Sequence, residues 1–571
     1  MGSSTLISMS LRLLIQNSLL LAVLCTGRVA ADTYPRAKEL DVLEYTFRVT
    51  LTDKSDSIAG LASIDLRWLE SGESSFELDL SSVVQASGKG MHVNGVWGRP
   101  RAGVHPLNAL RIEGGEGGGA LRYVHEANRL LIHLAEPSKQ GTRLYVTISY
   151  SGIPASGLEI GETKYGDRCF FSENWPNLAR QWMPTIDHPY DKAKSQMIVV
   201  APAHYQVVSN GLLVEETDMG EGQRLTHWRQ SVPIATWLYN VGVARFAVQR
   251  LADFDGKPVQ TWVYPQNRDA GFYDFAEPTH AVLAFYSEQV GPYSYEKIAN
   301  IQSYSVGGGM ESASSIFYGE DSVTGTRSVR WRNVIIHELA HQWFGNAVTE
   351  SDWDDVWLSE GFATYFTLLF REHAYGRDDF VAGLKESRDD VLRFYRKHPD
   401  YRILHNNLDD MSRVTTGMQY QKGAWTLHML RRQLGTEVFW QGIRDYYKLY
   451  RNKTASTADF RRVMEERSGQ SLEWFFDQWL IQGGVPELRG TWSFSSGKLE
   501  LEFEQTQKTY RFRVPLELEL QFADGSFQRQ KLLLDTTSAK HSITVAQEPV
   551  AVLVDPDTWF LGTVDLSPRN N

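Results

Sequence analysis

The segment from Val334 to Asn346 reads Val-Ile-Ile-His-Glu-Leu-Ala-His-Gln-Trp-Phe-Gly-Asn and sets His337 and His341 four residues apart. On a helix this spacing stacks both imidazoles on one face, about 6 Å apart along the axis, so both can converge on one ion. Glu338 points about 100° away from His337, near enough to take a proton from a water at the ion without being a ligand. A lone HExxH is a weak signal in a long chain, so a third ligand decides the reading. Glu360 supplies one: eighteen residues separate it from His341, and it lies in Trp357-Leu-Ser-Glu-Gly-Phe-Ala-Thr-Tyr, where another helix begins. Two neutral imidazoles and one carboxylate, with a position left open, suit a catalytic zinc, one per chain. A structural site would close that position, commonly with Cys. Cobalt, manganese and iron fit the same geometry, and ligand type with usual availability favours zinc.

The elements that must hold these residues follow from periodicity. Ile335, Leu339 and Trp343 give the histidine segment its apolar faces, and Gly345 with Asn346 offers a helix stop. Helices are predicted over 327–343, 360–373, 378–395, 417–434 and 472–481. Upstream, from Asp41 to about Phe246, the pattern is mostly period two, as in Tyr45, Phe47, Val49 and Leu51 and in Leu144, Val146, Ile148 and Tyr150. Gly114 to Gly119 reads as a surface loop. Short strands at Thr261 to Tyr264 and around Gln302 to Met310 lead into the helical region. After Gly483, Gly484 and Pro486, alternation returns at 499–503, 512–522, 531–535 and 550–554, with Asp524 and Gly525 as a hairpin turn. At 571 residues the chain exceeds one core. The expected class is multidomain α+β: a β-sandwich-like domain over 32–246, a mainly helical catalytic domain over 247–484 and a small β-sandwich over 485–571.

Residues 1–31 differ from the rest. Arg12 precedes an apolar run through Leu19, Leu20, Leu21, Val23 and Leu24, followed by the small residues Ala30 and Ala31, which predicts a secretory signal peptide cut after Ala31. Gln16 and Asn17 interrupt the run, leaving it short of the roughly 20 apolar residues of a spanning helix. Cys25 follows the bulky Leu24, a poor context for lipid attachment. Removal of this segment leaves Cys169 as the single cysteine and no intrachain disulfide, a usage suited to a bacterial periplasmic or secreted enzyme. A net charge of -11 argues against a nucleic-acid partner, which needs clustered Lys and Arg. No later segment is predicted to span a membrane, and the sequence carries no signal of oligomeric state.

The motif His337-Glu-Leu-Ala-His341-Gln-Trp-Phe-Gly-Asn, the gap of eighteen and Trp357-Leu-Ser-Glu360-Gly-Phe-Ala together resemble the zinc aminopeptidases typified by aminopeptidase N, a family that includes leukotriene hydrolase. Gly308-Gly309-Met310-Glu311-Ser312 is similar to that family's Gly-Ala-Met-Glu-Asn strand, and Tyr420-Gln-Lys-Gly423 to the segment with its catalytic tyrosine. The resemblance runs from about Asp41 to Leu566. It implies a thermolysin-like catalytic domain between two β-sandwiches, with the chain stopping before the C-terminal helical domain of larger members. It also implies that Tyr420 stabilises the tetrahedral intermediate and that Glu311 holds the substrate's α-ammonium, while Gly308, Gly309 and Met310 line the substrate. Two positions depart from the pattern. Ser312 replaces the usual Asn, and Glu173 and Trp175 stand where Gln and Glu are common, seven and five residues before Arg180. Glu173 then becomes the candidate second contact for the ammonium.

These readings converge on a zinc aminopeptidase acting on peptides with a free N-terminus. A thermolysin-like endopeptidase uses the same three ligands without an ammonium anchor, and a leukotriene-hydrolase-like epoxide activity is a third enzymatic reading. A catalytically silent peptide-binding protein is the rival from another class, and the intact set of candidate residues speaks against it.

Overall fold

The computed structural model describes residues 32–100, 119–405 and 410–569; the expected signal peptide, with Cys25, and Gly114 to Gly118 of the expected loop lie outside them. Residues 40–244 form three sheets. The largest has eight strands, in the spatial order 212–220, 223–234, 193–202, 40–50, 58–68, 143–153, 90–100 and 119–120. Leu40–Thr50 pairs in parallel with Ala193–Pro202 and antiparallel with Ile58–Trp68. Tyr45, Phe47 and Val49 are buried, as period two requires. Gly119, expected in a loop, instead pairs opposite Gly98 in a short edge strand.

A five-stranded sheet follows, with the order 247–250, 259–263, 298–303, 315–319 and 309–310. Against it and one another pack the long helices: α1 (Arg268–Gln289), α2 (Val329–His341), α3 (Trp357–Tyr375), α4 (Arg377–Tyr395), α5 (Gly417–Leu434), α6 (Thr436–Tyr450) and α7 (Thr457–Ser468). The helix α2 begins later than its apolar pattern predicts because Arg327 has φ +51°, outside the helical region. It ends at His341, and Gly345, with φ +109°, turns the chain away. The helix α3 starts three residues before Glu360, which places that carboxylate in its first turn. Thr416 starts α5 through a capping box: its hydroxyl accepts from the Met418 N–H, and the Gln419 side chain accepts from the Thr416 N–H.

Three helices were not legible as such: α1, which carries Pro278 in its interior, and the pair α6 and α7. The expected helix over 472–481 is instead a single α turn, Glu473–Phe476, continued by a wider π turn over Asp477–Ile481. Beyond Gly484 a four-stranded sheet (538–544, 498–505, 487–495, 563–568) and a three-stranded sheet (527–534, 514–521, 551–554) complete the described chain. Gly525, at φ +81°, turns the hairpin that joins 514–521 to 527–534. Among the described residues no helix is long and apolar enough to cross a membrane.

Candidate metal centre

His337 and His341 lie one turn apart on α2, and their Nε2 atoms face each other at 3.1 Å. Glu360 arrives from α3 with Oε2 3.2 Å from His341 Nε2 and 3.4 Å from His337 Nε2. Glu360 Oε2 is buried and makes no hydrogen bond. Three donor atoms separated by 3.1 to 3.4 Å match the vertices of a tetrahedron whose bonds are about 2 Å, which fits zinc. His341 Nδ1 donates to the Phe344 carbonyl at 3.2 Å, which turns Nε2 to the centre, and burial holds the His337 imidazole neutral. Against the cost of burial, the Glu311 and Glu360 carboxylates push His341 up to about 10, so a bound ion would take the place of its Nε2 proton. Ser359 Oγ is 3.1 Å from the same Nδ1 and fixes the ring from the other helix. Its position depends on Gly345, where a Cβ would fall 2.2 Å from Ser359 Oγ.

Glu338 faces the strand Gly309–Met310. A Cβ on Gly309 would sit 2.2 Å from Glu338 Oε1, so the glycine makes the space that this carboxylate occupies. Burial, and then repulsion from Glu311, pushes the Glu338 carboxyl well above the ordinary carboxylate range. Glu311 follows Met310 and is also raised, chiefly by burial. Its Oε1 is buried without a hydrogen-bond partner and lies 3.9 Å from His341 Nδ1. Two amides from the histidine segment hold its backbone: Gln342 Nε2 and Asn346 Nδ2 donate to the Glu311 carbonyl at 2.8 and 2.6 Å. Beside it Gly307 and Gly308 open onto space, with nothing within 4 Å of a Cβ built there.

Tyr420, in the first turn of α5, donates to Glu360 Oε1 at 2.8 Å and stacks on His337 with ring centres 5.8 Å apart. The phenol expected opposite the metal is thus drawn onto a candidate ligand, and burial holds it protonated. Glu173 accepts from the Trp175 N–H at 3.0 Å; burial, reinforced by repulsion from Glu311, pushes it up to about 8. His337, Glu338 and Tyr420 line one cleft with Val334, Arg371 and Glu386.

The structure therefore brings His337, His341 and Glu360 together, sets Glu338, Glu311 and Tyr420 around them, and leaves Glu173 on the Trp175 N–H, within electrostatic reach of Glu311. Sequence reasoning missed Ser359, Gln342 and Asn346. Their signal was available, since all three are polar residues inside apolar runs next to the candidate ligands, and all three are buried.

A histidine pair on one helix completed by a carboxylate from the next defines a centre that can hold a divalent cation. Residues 275–479 match the Peptidase family M1 domain and residues 120–238 the Peptidase M1 N-terminal domain. The chain carries both domains of peptidase family M1, a family that implies one zinc ion. It is 32% identical over 333 residues to human (Homo sapiens) glutamyl aminopeptidase, a match covering 56% of this chain and 34% of that protein. It is 26% identical over 388 residues to probable aminopeptidase 2 of Sulfurisphaera tokodaii, covering 64% of this chain and 49% of the other. The chain spans about a third of the length of the glutamyl aminopeptidases it matches. The crystal structure of an M1 zinc metallopeptidase from Deinococcus radiodurans shares the fold, with a TM-score of 0.64 and 23% identity over 78% of this chain and 94% of that one.

Proposed function

We propose that this chain is a zinc-dependent aminopeptidase that hydrolyses the first peptide bond of peptides with a free N-terminus. The observation that carries the reading is Glu311: a buried carboxylate with one oxygen unpartnered, beside the candidate metal ligands and next to open glycine backbone. Such a group meets an ammonium at one fixed place and sets the first peptide bond at the metal.

His337, His341 and Glu360 would hold the zinc, which when bound acts as a Lewis acid on the carbonyl and lowers the pKa of nearby water. Glu338 takes the proton of the attacking water and passes it to the departing amine, and its raised affinity for protons suits a shuttle. Tyr420 turns its O–H from Glu360 to the oxygen that gains charge in the tetrahedral intermediate. Gly308, Gly309 and Met310 present a strand edge along which substrate backbone lies. Glu173 is the second contact of the ammonium, which would hold Glu173 and Glu311 ionised by relieving their repulsion.

On the same reading the chain is exported to the periplasm or the exterior with residues 1–31 removed, and it divides into domains over 32–246, 247–484 and 485–571. The test compares aminoacyl arylamides with their N-acetylated forms, with and without a chelator. Chelator-sensitive cleavage of the free amines alone is expected, and Glu311→Gln should raise KM for them by about tenfold or more. Equal cleavage of blocked substrates would instead favour an endopeptidase, and no cleavage of either a silent binder.

A further inference from the structure

A buried cluster joins the start of the described chain to the loop that leads into α3. The Asp32 backbone nitrogen lies 3.0 Å from Asp352 Oδ1 and 3.1 Å from Asp352 Oδ2, so one N–H faces both oxygens of one carboxylate. Arg36 binds the same carboxylate at 2.9 Å and the Ser351 carbonyl at 2.8 Å. The Asp32 side chain accepts from the Trp353 N–H at 3.2 Å and meets His188 Nε2 at 2.7 Å. These side chains are out of water: 9% of Asp352, 2% of Asp32 and none of His188 is exposed. Burial disfavours the His188 cation, while its hydrogen bond draws the Asp32 carboxyl below its ordinary range against the cost of burial. Arg36 is then the one permanent positive charge among these contacts against two carboxylates, one short of balance in a dry site. Burial and the Asp32 carboxylate both push Asp352 above its ordinary range, as expected of an acid with too little positive charge beside it.

Asp32 is also the residue that follows the predicted cleavage point. A peptide N–H brings one hydrogen and no charge to Asp352; an α-ammonium at the same nitrogen brings three hydrogens and the missing charge. We propose that a leader-cleaving endopeptidase hydrolyses the Ala31–Asp32 bond and that the new Asp32 α-ammonium pairs with Asp352, clamping residues 32–37 onto the loop before Glu360. Water adds across the bond, leaving a carboxylate on Ala31 and the ammonium on Asp32. Maturation then neutralises the cluster and fixes the approach to α3, through Trp353 and the turn Trp353–Asp355 that Asp352 caps. The buried terminus is also withheld from any aminopeptidase, including another copy of this chain. The inference rests on the export reading and is independent of the peptidase reading.

The full chain, expressed with its leader in a bacterium that exports it, should yield a mature protein whose N-terminal sequencing starts at Asp32; a different start overturns the processing. Two further chains separate the ammonium from the leader: one begins at Asp32 after release from a cleavable fusion, and the other retains Ala31. The first should melt about 2 °C or more above the second. The gap should vanish between the same two starts when both carry Asp352→Asn. Equal melting in the native background overturns the pairing. Should Asp352→Asn not fold, labelling with an amine reagent decides: the Asp32 α-amine should react about tenfold more slowly than the Ala31 α-amine of the longer chain, and equal reaction contradicts the proposal. None of these readouts uses metal content or activity, so they stand or fall apart from the peptidase reading.

Discussion

The backbones of Gly361 and Gly423 touch: a Cβ built on Gly361 would fall 2.8 Å from Gly423 Cα, and one on Gly423 would fall 2.9 Å from Gly361 Cα. This contact sets the distance between α3 and α5, and each glycine neighbours a site residue. Glu360 immediately precedes the first, and Tyr420 lies one turn before the second. The 2.8 Å hydrogen bond between Tyr420 and Glu360 follows from the close crossing. Gly423→Ala should therefore force the helices apart, costing about 1–3 kcal/mol of stability, and lower kcat as well. Thermal melting and steady-state kinetics check this, and an alanine variant with unchanged kcat would show that the spacing does not matter to the chemistry.

Gly309→Ala should act on Glu338 alone. The new methyl would overlap the carboxylate and its Cγ, which lies 2.4 Å from the added carbon, so the side chain must move. Because Glu338 is proposed as base and not as ligand, zinc content should stay near that of the parent while kcat falls by about 10²-fold or more. Zinc analysis beside kinetics distinguishes this from general disruption.

Tyr420→Phe removes one hydroxyl and keeps the ring on His337. Loss of a donor to a developing oxyanion lowers kcat by about 10²–10³. The variant should keep its zinc and its KM within a few fold, and normal turnover would retire the tyrosine from the mechanism.

Asp191, which is not among the candidate site residues, gives a pH dependence. It is wholly buried, with Oδ2 unpartnered, and burial, reinforced by Asp41, pushes its carboxyl up to about 8. A carboxyl raised on folding contributes stability that is full below its unfolded value near 3.8 and is lost as pH rises through about 8. Asp191→Asn should therefore gain on the parent between pH 5 and pH 8.5, by an amount on the order of a few kcal/mol. Denaturant midpoints at the two pH values measure it, and a constant difference between parent and variant would contradict the assigned cause.

The relation between sequence and structure is uneven for physical reasons. His337 and His341 were legible because a four-residue spacing fixes geometry within one helix, and the amphipathic run around them marked that helix. Glu360 needed only the next helix to pack alongside. Glu311 and Tyr420 came from resemblance, since a Glu after glycines and a Tyr at a helix start carry no role of their own. The glycine contact between α3 and α5 could not be read locally, because it exists only once two distant segments meet. Among the elements, α1 escaped notice because Pro278 reads as a helix breaker, although it is tolerated in a helix packed on several faces. The 472–481 segment kept its helical period but widened to a π turn at Asp477–Ile481, where Gln478 reaches across to the Arg513 backbone.

The most direct test of the central claim is the zinc content of the purified chain, measured by elemental analysis after gel filtration, for the parent and for Glu360→Ala. One zinc per chain in the parent and less than about a tenth of that in the variant is the predicted result. A parent without zinc, or a variant that keeps a full equivalent, would contradict a centre built from His337, His341 and Glu360.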